Sequence, residues 1–181
     1  MAPKEIGFAV WLTGLPSSGK SVVAVELQRL LEERGFAVQI LDSDELREHL
    51  TPHPTYTAEE RKWFYDMIVF LAKILTGKGV NVLIAATGSL RGYRASARSQ
   101  IGRFAEVHID CPEEVCRRRD PKGLWQKAER GEIDGLPGAG SPYEKPLSPE
   151  LRIDSSTMSI KEAAERIFRE LCNNGFLYPP A

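Results

Sequence analysis

Gly14-Leu15-Pro16-Ser17-Ser18-Gly19-Lys20-Ser21 stands between an apolar run and a helix-like stripe. Two glycines five apart, the second followed by Lys and Ser, form a phosphate-binding loop when a strand leads in and a helix leads out. Glycine lets the backbone curl so that several N–H groups point inward, and the helix N-terminus adds partial positive charge at the same place. Lys20 is expected to reach the β- and γ-phosphates of a bound nucleotide, and Ser21 to ligand Mg²⁺.

The flanking sequence supplies that context. Residues 6–12 read as a buried strand, and residues 20–34 place Val22, Val23, Leu27, Leu30 and Leu31 on a helical stripe that Gly35 ends. A second strand (36–41) ends in Asp42-Ser43-Asp44, and Thr57-Ala58-Glu59-Glu60 reads as a capping box opening a long helix that Gly77 and Gly79 close. On that helix Trp63, Phe64, Met67 and Phe70 are expected to face the core, with a partner chain as the alternative. A third strand (80–86), a basic helix (91–103), a fourth strand (105–111), a helix from Pro112, a fifth strand (151–154), a last helix (160–172) and a tail from Gly175 follow. Residues 120–150 break the rhythm with five prolines and five glycines, and read as a lid. The expectation is one domain over 1–181 with a three-layer α/β fold: a mainly parallel five-stranded sheet, helices on both faces, and a lid.

Composition narrows the function. A formal net charge of -1 gives nucleic acid no electrostatic footing. The N-terminal apolar run is too short to span a bilayer and lacks a signal-cleavage pattern. Three cysteines suit neither a disulfide framework nor a zinc site, so the protein is expected in the cytoplasm.

A phosphate loop alone is not a function. The third strand, Val-Asn-Val-Leu-Ile-Ala-Ala-Thr, carries no acid of the kind that activates water, and no guanine-reading motif occurs. The useful acids are Asp42 and Asp44, at a strand end that opens onto the ligand crevice. One can hold Mg²⁺ through water while the other takes a proton from an acceptor hydroxyl; either can instead cap the next helix. Arg47, one helical turn beyond Asp44, has the fork for a phosphate or sulfate. Phosphoryl transfer needs water excluded, and Arg117, Arg118, Arg119, Lys122, Lys127 and Arg130 lie beside the expected lid.

Together these segments resemble the adenylylsulfate (APS) kinase family, over roughly residues 7–155. Trp11–Ser21 resembles its phosphate loop, Leu41-Asp-Ser-Asp-Glu-Leu-Arg47 its Leu-Asp-Gly-Asp-x-x-Arg segment, and Arg91-x-x-Arg94-x-x-Ala97-Arg98 its basic helix. Most specifically, residues 119–151 are similar to its lid almost position by position. The resemblance implies transfer of the ATP γ-phosphoryl group to the ribose 3′-hydroxyl of adenosine 5′-phosphosulfate, giving PAPS and ADP in sulfate assimilation. It implies Asp44 as general base, Asp42 on the metal side, Arg47, Arg61 and Lys127 on the acceptor's anion, Arg119 near the ATP, and Tyr56 stacking on the acceptor's adenine. Thr87 and Gly88 would lie along the acceptor site. A homodimer and a link to ATP sulfurylase are implied too.

The departures from the family gather on the acceptor side. Phe64 stands where the family has a polar acceptor contact, Gly88 where it has a serine, and Leu136 where it has a second aromatic plate. Reverting Phe64 to Asn or Leu136 to Phe is therefore expected to tighten APS. Two other functions stay open on the sequence: a small-molecule kinase for another anionic, nucleotide-like acceptor, and a non-catalytic nucleotide-binding module.

Overall fold

The computed structural model describes residues 6–177. Strand β1 (Ala9–Thr13) is completely buried and runs into the phosphate loop, which ends in α1 (Lys20–Glu32). Next come β2 (Val38–Asp42), α2 (Ser43–Leu50), α3 (Ala58–Gly77), β3 (Asn81–Ala85), α4 (Arg91–Gln100) and β4 (Phe104–Asp110). Helix α5 (Glu113–Arg119) leads into the excursion, which holds α6 (Leu124–Glu129) and a two-residue pairing of β5 (Leu136–Pro137) with β6 (Gly140–Ser141). Strand β7 (Leu151–Asp154) and α7 (Ile160–Asn173) close the described chain, and residues 178–181 of the expected tail lie outside it.

The main sheet has the order β2-β3-β1-β4-β7, and all four of its pairings are parallel. Both faces are covered, which is why the central strands β1 and β3 are almost wholly apolar. Successive side chains point to opposite faces. Val10, Leu12, Leu83, Ala85, Val107 and Ile109 pack under α1 and α7. Ala9, Trp11, Val82, Ile84 and Phe104 pack under α3 and α4. Trp11 is fully buried, yet its indole N–H donates to the Ala86 carbonyl at 2.9 Å, so the burial leaves no orphan donor.

Two local expectations, on the Thr57 capping box and the face of α3, are corrected, and a third element, α2, stands on its cap. Helix α2 forms from Ser-Asp-Glu-Leu-Arg-Glu-His-Leu although none of its residues is buried. Asp42 makes this possible by capping it, accepting from the Asp44 amide at 2.8 Å. The capping box at Thr57 is half formed: Thr57 accepts from the Glu60 amide at 3.2 Å, but the Glu60 carboxylate accepts instead from Thr55 and Arg47. Of the four α3 side chains expected in the core, only Phe64 is fully buried. Trp63 and Phe70, exposed by 46% and 53%, fall on the opposite side of the helix with Ile74.

The excursion is tied down at both ends. Its start forms a small apolar cluster of Cys111, Cys116, Trp125 and Leu136, with Leu15 of the phosphate loop against it. This accounts for Cys116, whose thiol burial pushes up to about 12, leaving it a protonated filler. Its far end is pinned by Tyr143, whose hydroxyl lies 3.1 Å from Thr13 Oγ1, and by Arg94, which donates to the Glu144 carbonyl at 2.7 Å. Arg94 is itself buried and bonded to Glu106 and the Gly88 carbonyl, while Arg98 forks onto Glu150. The basic face of α4 is therefore a structural staple for the lid.

Candidate active site

The phosphate loop takes the shape its glycines predict. Gly19 has φ +100, and Ser17 is also left-handed at φ +66. A Cβ at Gly14 would meet the Ile109 carbonyl oxygen at 2.4 Å, so only glycine fits against β4 there. Ser18 has a buried hydroxyl with no hydrogen-bond partner among the described residues. Lys20 folds back over the loop, donating to the carbonyls of Gly14 and Leu15 at 3.1 and 2.8 Å.

Burial lowers the pKa of Lys20 from 10.5 to about 8, and the charges of Asp44 and Asp42 oppose that fall. The two acids make different contacts, Asp42 with the phosphate loop and Asp44 with the lid. Ser21 Oγ donates to Asp42 Oδ2 at 2.6 Å, joining the end of the loop to the end of β2. Asp44 Oδ2 lies 2.5 Å from Lys122 Nζ, which reaches across from the base of the lid.

Beyond Asp44 the acceptor side is assembled from side chains. Arg47 pairs with Glu60 at 3.1 Å, and Glu60 also accepts from Thr55, fixing the loop before α3. Burial opposes ionisation of Glu60, and the bonds from Thr55 and Arg47 outweigh it and hold the carboxyl below its usual range. Tyr56 sits in that loop at φ +53 with its ring half exposed. Arg61 donates from Nε to the Tyr56 carbonyl at 2.9 Å and from Nη2 to the Gly135 carbonyl of the lid at 2.8 Å. Trp125 adds a third link from lid to body, its indole N–H donating to Pro16 at 3.2 Å.

These pieces enclose one cavity of about 1190 Å³. Of the residues expected at the site, Pro16, Ser17, Ser18, Gly19, Lys20, Ser21, Asp44, Arg47, Tyr56, Arg61, Thr87, Arg119 and Leu136 line it. Gly14 and Leu15 support the loop from behind, and Asp42 reaches the cavity's edge through Ser21. Three expected contacts lie elsewhere. Phe64 is fully buried beneath Arg47, because the turn of α3 that brings Arg61 to the cavity carries residue 64 into the core. Gly88 is buried against Trp11, which a Cβ would meet at 2.9 Å, and its N–H donates to the Tyr65 hydroxyl. Lys127 is exposed on the outer face of α6, away from the cavity lining.

Two contributors carried no assignment from the sequence. Lys122 was one of six basic residues beside the lid, and only the fold singles it out as the partner of Asp44. Ser155 follows β7 directly; its hydroxyl donates to the Ser18 carbonyl at 2.7 Å, and its own carbonyl accepts from Arg119 at 2.6 Å. A polar residue at the carboxyl end of a parallel strand is the available signal for it.

Comparison with known proteins places this cavity in context. The family model for adenylylsulphate kinase matches residues 6–154. A probable adenylyl-sulfate kinase of Pyrococcus abyssi is 42% identical over 171 residues, 94% of this chain and 98% of the relative. Among solved structures, the Mycobacterium tuberculosis APS kinase in complex with AMPPNP and APS superposes with a TM-score of 0.87 and 38% identity, over 92% of this chain and 98% of that one. A hexameric APS kinase from Thiobacillus denitrificans gives a TM-score of 0.72 and 28% identity, over 98% of this chain and 31% of that one.

Proposed function

The chain belongs to the adenylylsulphate kinase family, and on that footing we propose that its cavity carries out the family's reaction through the residues described above. The reaction is ATP-dependent phosphorylation of APS at its 3′-hydroxyl, giving PAPS and ADP. Of the three functions open on the sequence, the full-length family match favours this one. The single observation that carries the assignment of roles is that the phosphate loop, Asp44, Arg47 and the lid line one cavity.

The phosphate-loop amides and the Lys20 ammonium hold the β- and γ-phosphates and offset charge that builds during transfer. Asp44 takes the proton of the acceptor's 3′-hydroxyl. The hydroxyl oxygen then bonds to the γ-phosphorus while the bond from that phosphorus to the β–γ bridging oxygen breaks, and ADP leaves with that electron pair. Arg47 binds the phosphosulfate end of the acceptor, Tyr56 offers its half-exposed ring to the adenine, and Arg61 ties the Tyr56 loop to the lid. The lid keeps water from the γ-phosphate.

Mg²⁺ fits the donor set. Ser21 Oγ and Asp42 Oδ2 are hard oxygens standing 2.6 Å apart at the end of the phosphate loop. A magnesium ion carried by a nucleotide needs only one or two protein oxygens beside water and phosphate. Ser21 and Asp42 would hold it, and it would supply positive charge that offsets that of the phosphates.

The apolar face of α3, with Trp63, Phe70 and Ile74 exposed, suits a homodimer; light scattering after Trp63→Glu, with loss of the dimer, checks this. Among the described residues no helix is long and apolar enough to cross a membrane. A cytoplasmic setting suits three free thiols, and APS would come from an enzyme of the ATP sulfurylase class. The functional test is ADP release with and without APS. An APS-dependent rate is expected, and a rate indifferent to APS would reject the assignment.

A further inference from the structure

Resting on the reading that Arg47 grips the acceptor's anion, we propose that Phe64 is a positioning residue for APS, acting through the Arg47 guanidinium whose floor it forms. Phe64 has no exposed surface and does not line the cavity, so it cannot touch the acceptor itself. Arg47 Cζ lies 3.9 Å from the centre of the Phe64 ring, and 5.0 Å from that of Tyr56. A guanidinium at that distance over an aromatic face is attracted by the ring quadrupole.

The hydrogen bonds of Arg47 show what this floor leaves free. Nη1 donates to Glu60 Oε1 at 3.1 Å and to Thr51 Oγ1 at 3.4 Å. Among the described residues, Nε and Nη2 have no hydrogen-bond partner. That free edge is the two-nitrogen fork that matches two oxygens of a phosphate or sulfate. Arg61 differs: its Nε and Nη2 are both committed to backbone carbonyls. The ring can hold the Arg47 plane without using any of its N–H groups, whereas an amide at residue 64 offers an oxygen that competes for them. The expectation that Phe64→Asn tightens APS is thereby reversed.

The ring is itself held rigidly. It meets Tyr65 edge-on at 5.7 Å, and Tyr65 is stacked on Tyr93 at 4.5 Å and accepts from the Gly88 amide. The position of the anion fork is thus set by an aromatic array in the α3–α4 layer.

The test compares the wild type with Phe64→Met, which keeps apolar volume but removes the π face. The Michaelis constant for APS is expected to rise about five- to twentyfold, in the range of a partly desolvated cation–π contact. That for ATP, and turnover at saturating APS, should stay within about twofold. In an Arg47→Met background the same change should add less than about twofold. A residue that merely fills the core would lower thermal stability and leave the constant for APS alone. That result, or an undiminished penalty in the Arg47→Met background, would overturn the proposal. Should Phe64→Met not fold, NMR of the wild type decides: the Arg47 Nε–H resonance, assigned by its loss in Arg47→Lys, is expected upfield-shifted by the ring below it, and an unshifted resonance overturns the proposal. Failure of the wild type to turn over APS would instead reject the functional reading, which the response of an active wild type to these changes leaves intact.

Discussion

The donor and acceptor halves of the cavity are built from different materials. The donor half is mostly backbone: a strand end, a loop with left-handed Ser17 and Gly19, and the first turn of α1. Its chemistry follows from chain geometry, which a few glycines enforce locally. The acceptor half is side chains from α2, the loop before α3, α3 itself and the lid. No local motif fixes it, because each group is placed by packing against something far away in sequence: Arg47 on Phe64, Arg61 on Gly135, Asp44 on Lys122. A phosphate cradle built in this way changes little with its neighbours, whereas an acceptor pocket can be redrawn one side chain at a time.

If the halves are separable, a change in one should leave the ligand of the other in place. The largest effect is expected from Lys20→Met, which removes the charge that faces the transferring phosphoryl group. Turnover should fall by at least about a hundredfold while titration calorimetry finds APS affinity within a few-fold of wild type. A comparable loss of APS affinity would show the halves to be one unit. On the acceptor side, Lys122→Met is expected to lower kcat/KM for APS about tenfold, since Lys122 meets Asp44. Lys127→Met should change it less than about twofold, since Lys127 stands away from the lining. The reverse order would assign the lid's anion contact to Lys127. Leu136→Phe, which restores an aromatic beside the cavity, is expected to tighten APS about fivefold, less than a free stacking plate allows because Leu136 is packed against the lid cluster. Equilibrium binding without turnover checks this, and an unchanged affinity would remove Leu136 from the adenine site.

The smallest effect concerns pH. Burial sets the Lys20 pKa near 8 in the free protein. Bound phosphates favour the ammonium, so ATP binding takes up a proton above that pH and weakens as the pH rises through it. A few-fold loss of ATP affinity between pH 8 and 9 is expected, and Lys20→Arg, charged throughout, should flatten it. A wild-type affinity constant across that range would show the ammonium to be less buried than the structure has it.

This contrast also explains what was legible in the sequence. The central strands β1 and β3 announced themselves because both of their faces are buried and their runs are almost wholly apolar, whereas the edge strands β2 and β7 mix polar residues into theirs. The phosphate loop was legible for the reason given above. Helix α2 was legible only through its cap at Asp42 and the spacing of Arg47, because it has no buried stripe. Helix α6 was hidden by the proline and glycine around it and is held by the buried Trp125. Phe64 was read as a contact of the acceptor because its place in the chain suggested one. Whether residue 64 meets the ligand or the core depends on how α3 is rotated against the sheet, which only packing decides. Lys122 could not be told from Lys127 by composition, since both are lysines in one basic stretch, and the turn at Gly123 determines which of them faces Asp44.

The most direct trial of the account is single-turnover phosphoryl transfer in Asp44→Asn, with ATP and APS both saturating and both affinities measured separately. The account predicts transfer slowed by about a hundredfold or more, with ATP binding within a few-fold of wild type. Transfer at the wild-type rate would contradict it, because the acceptor's proton would then leave by a route that does not need this carboxylate.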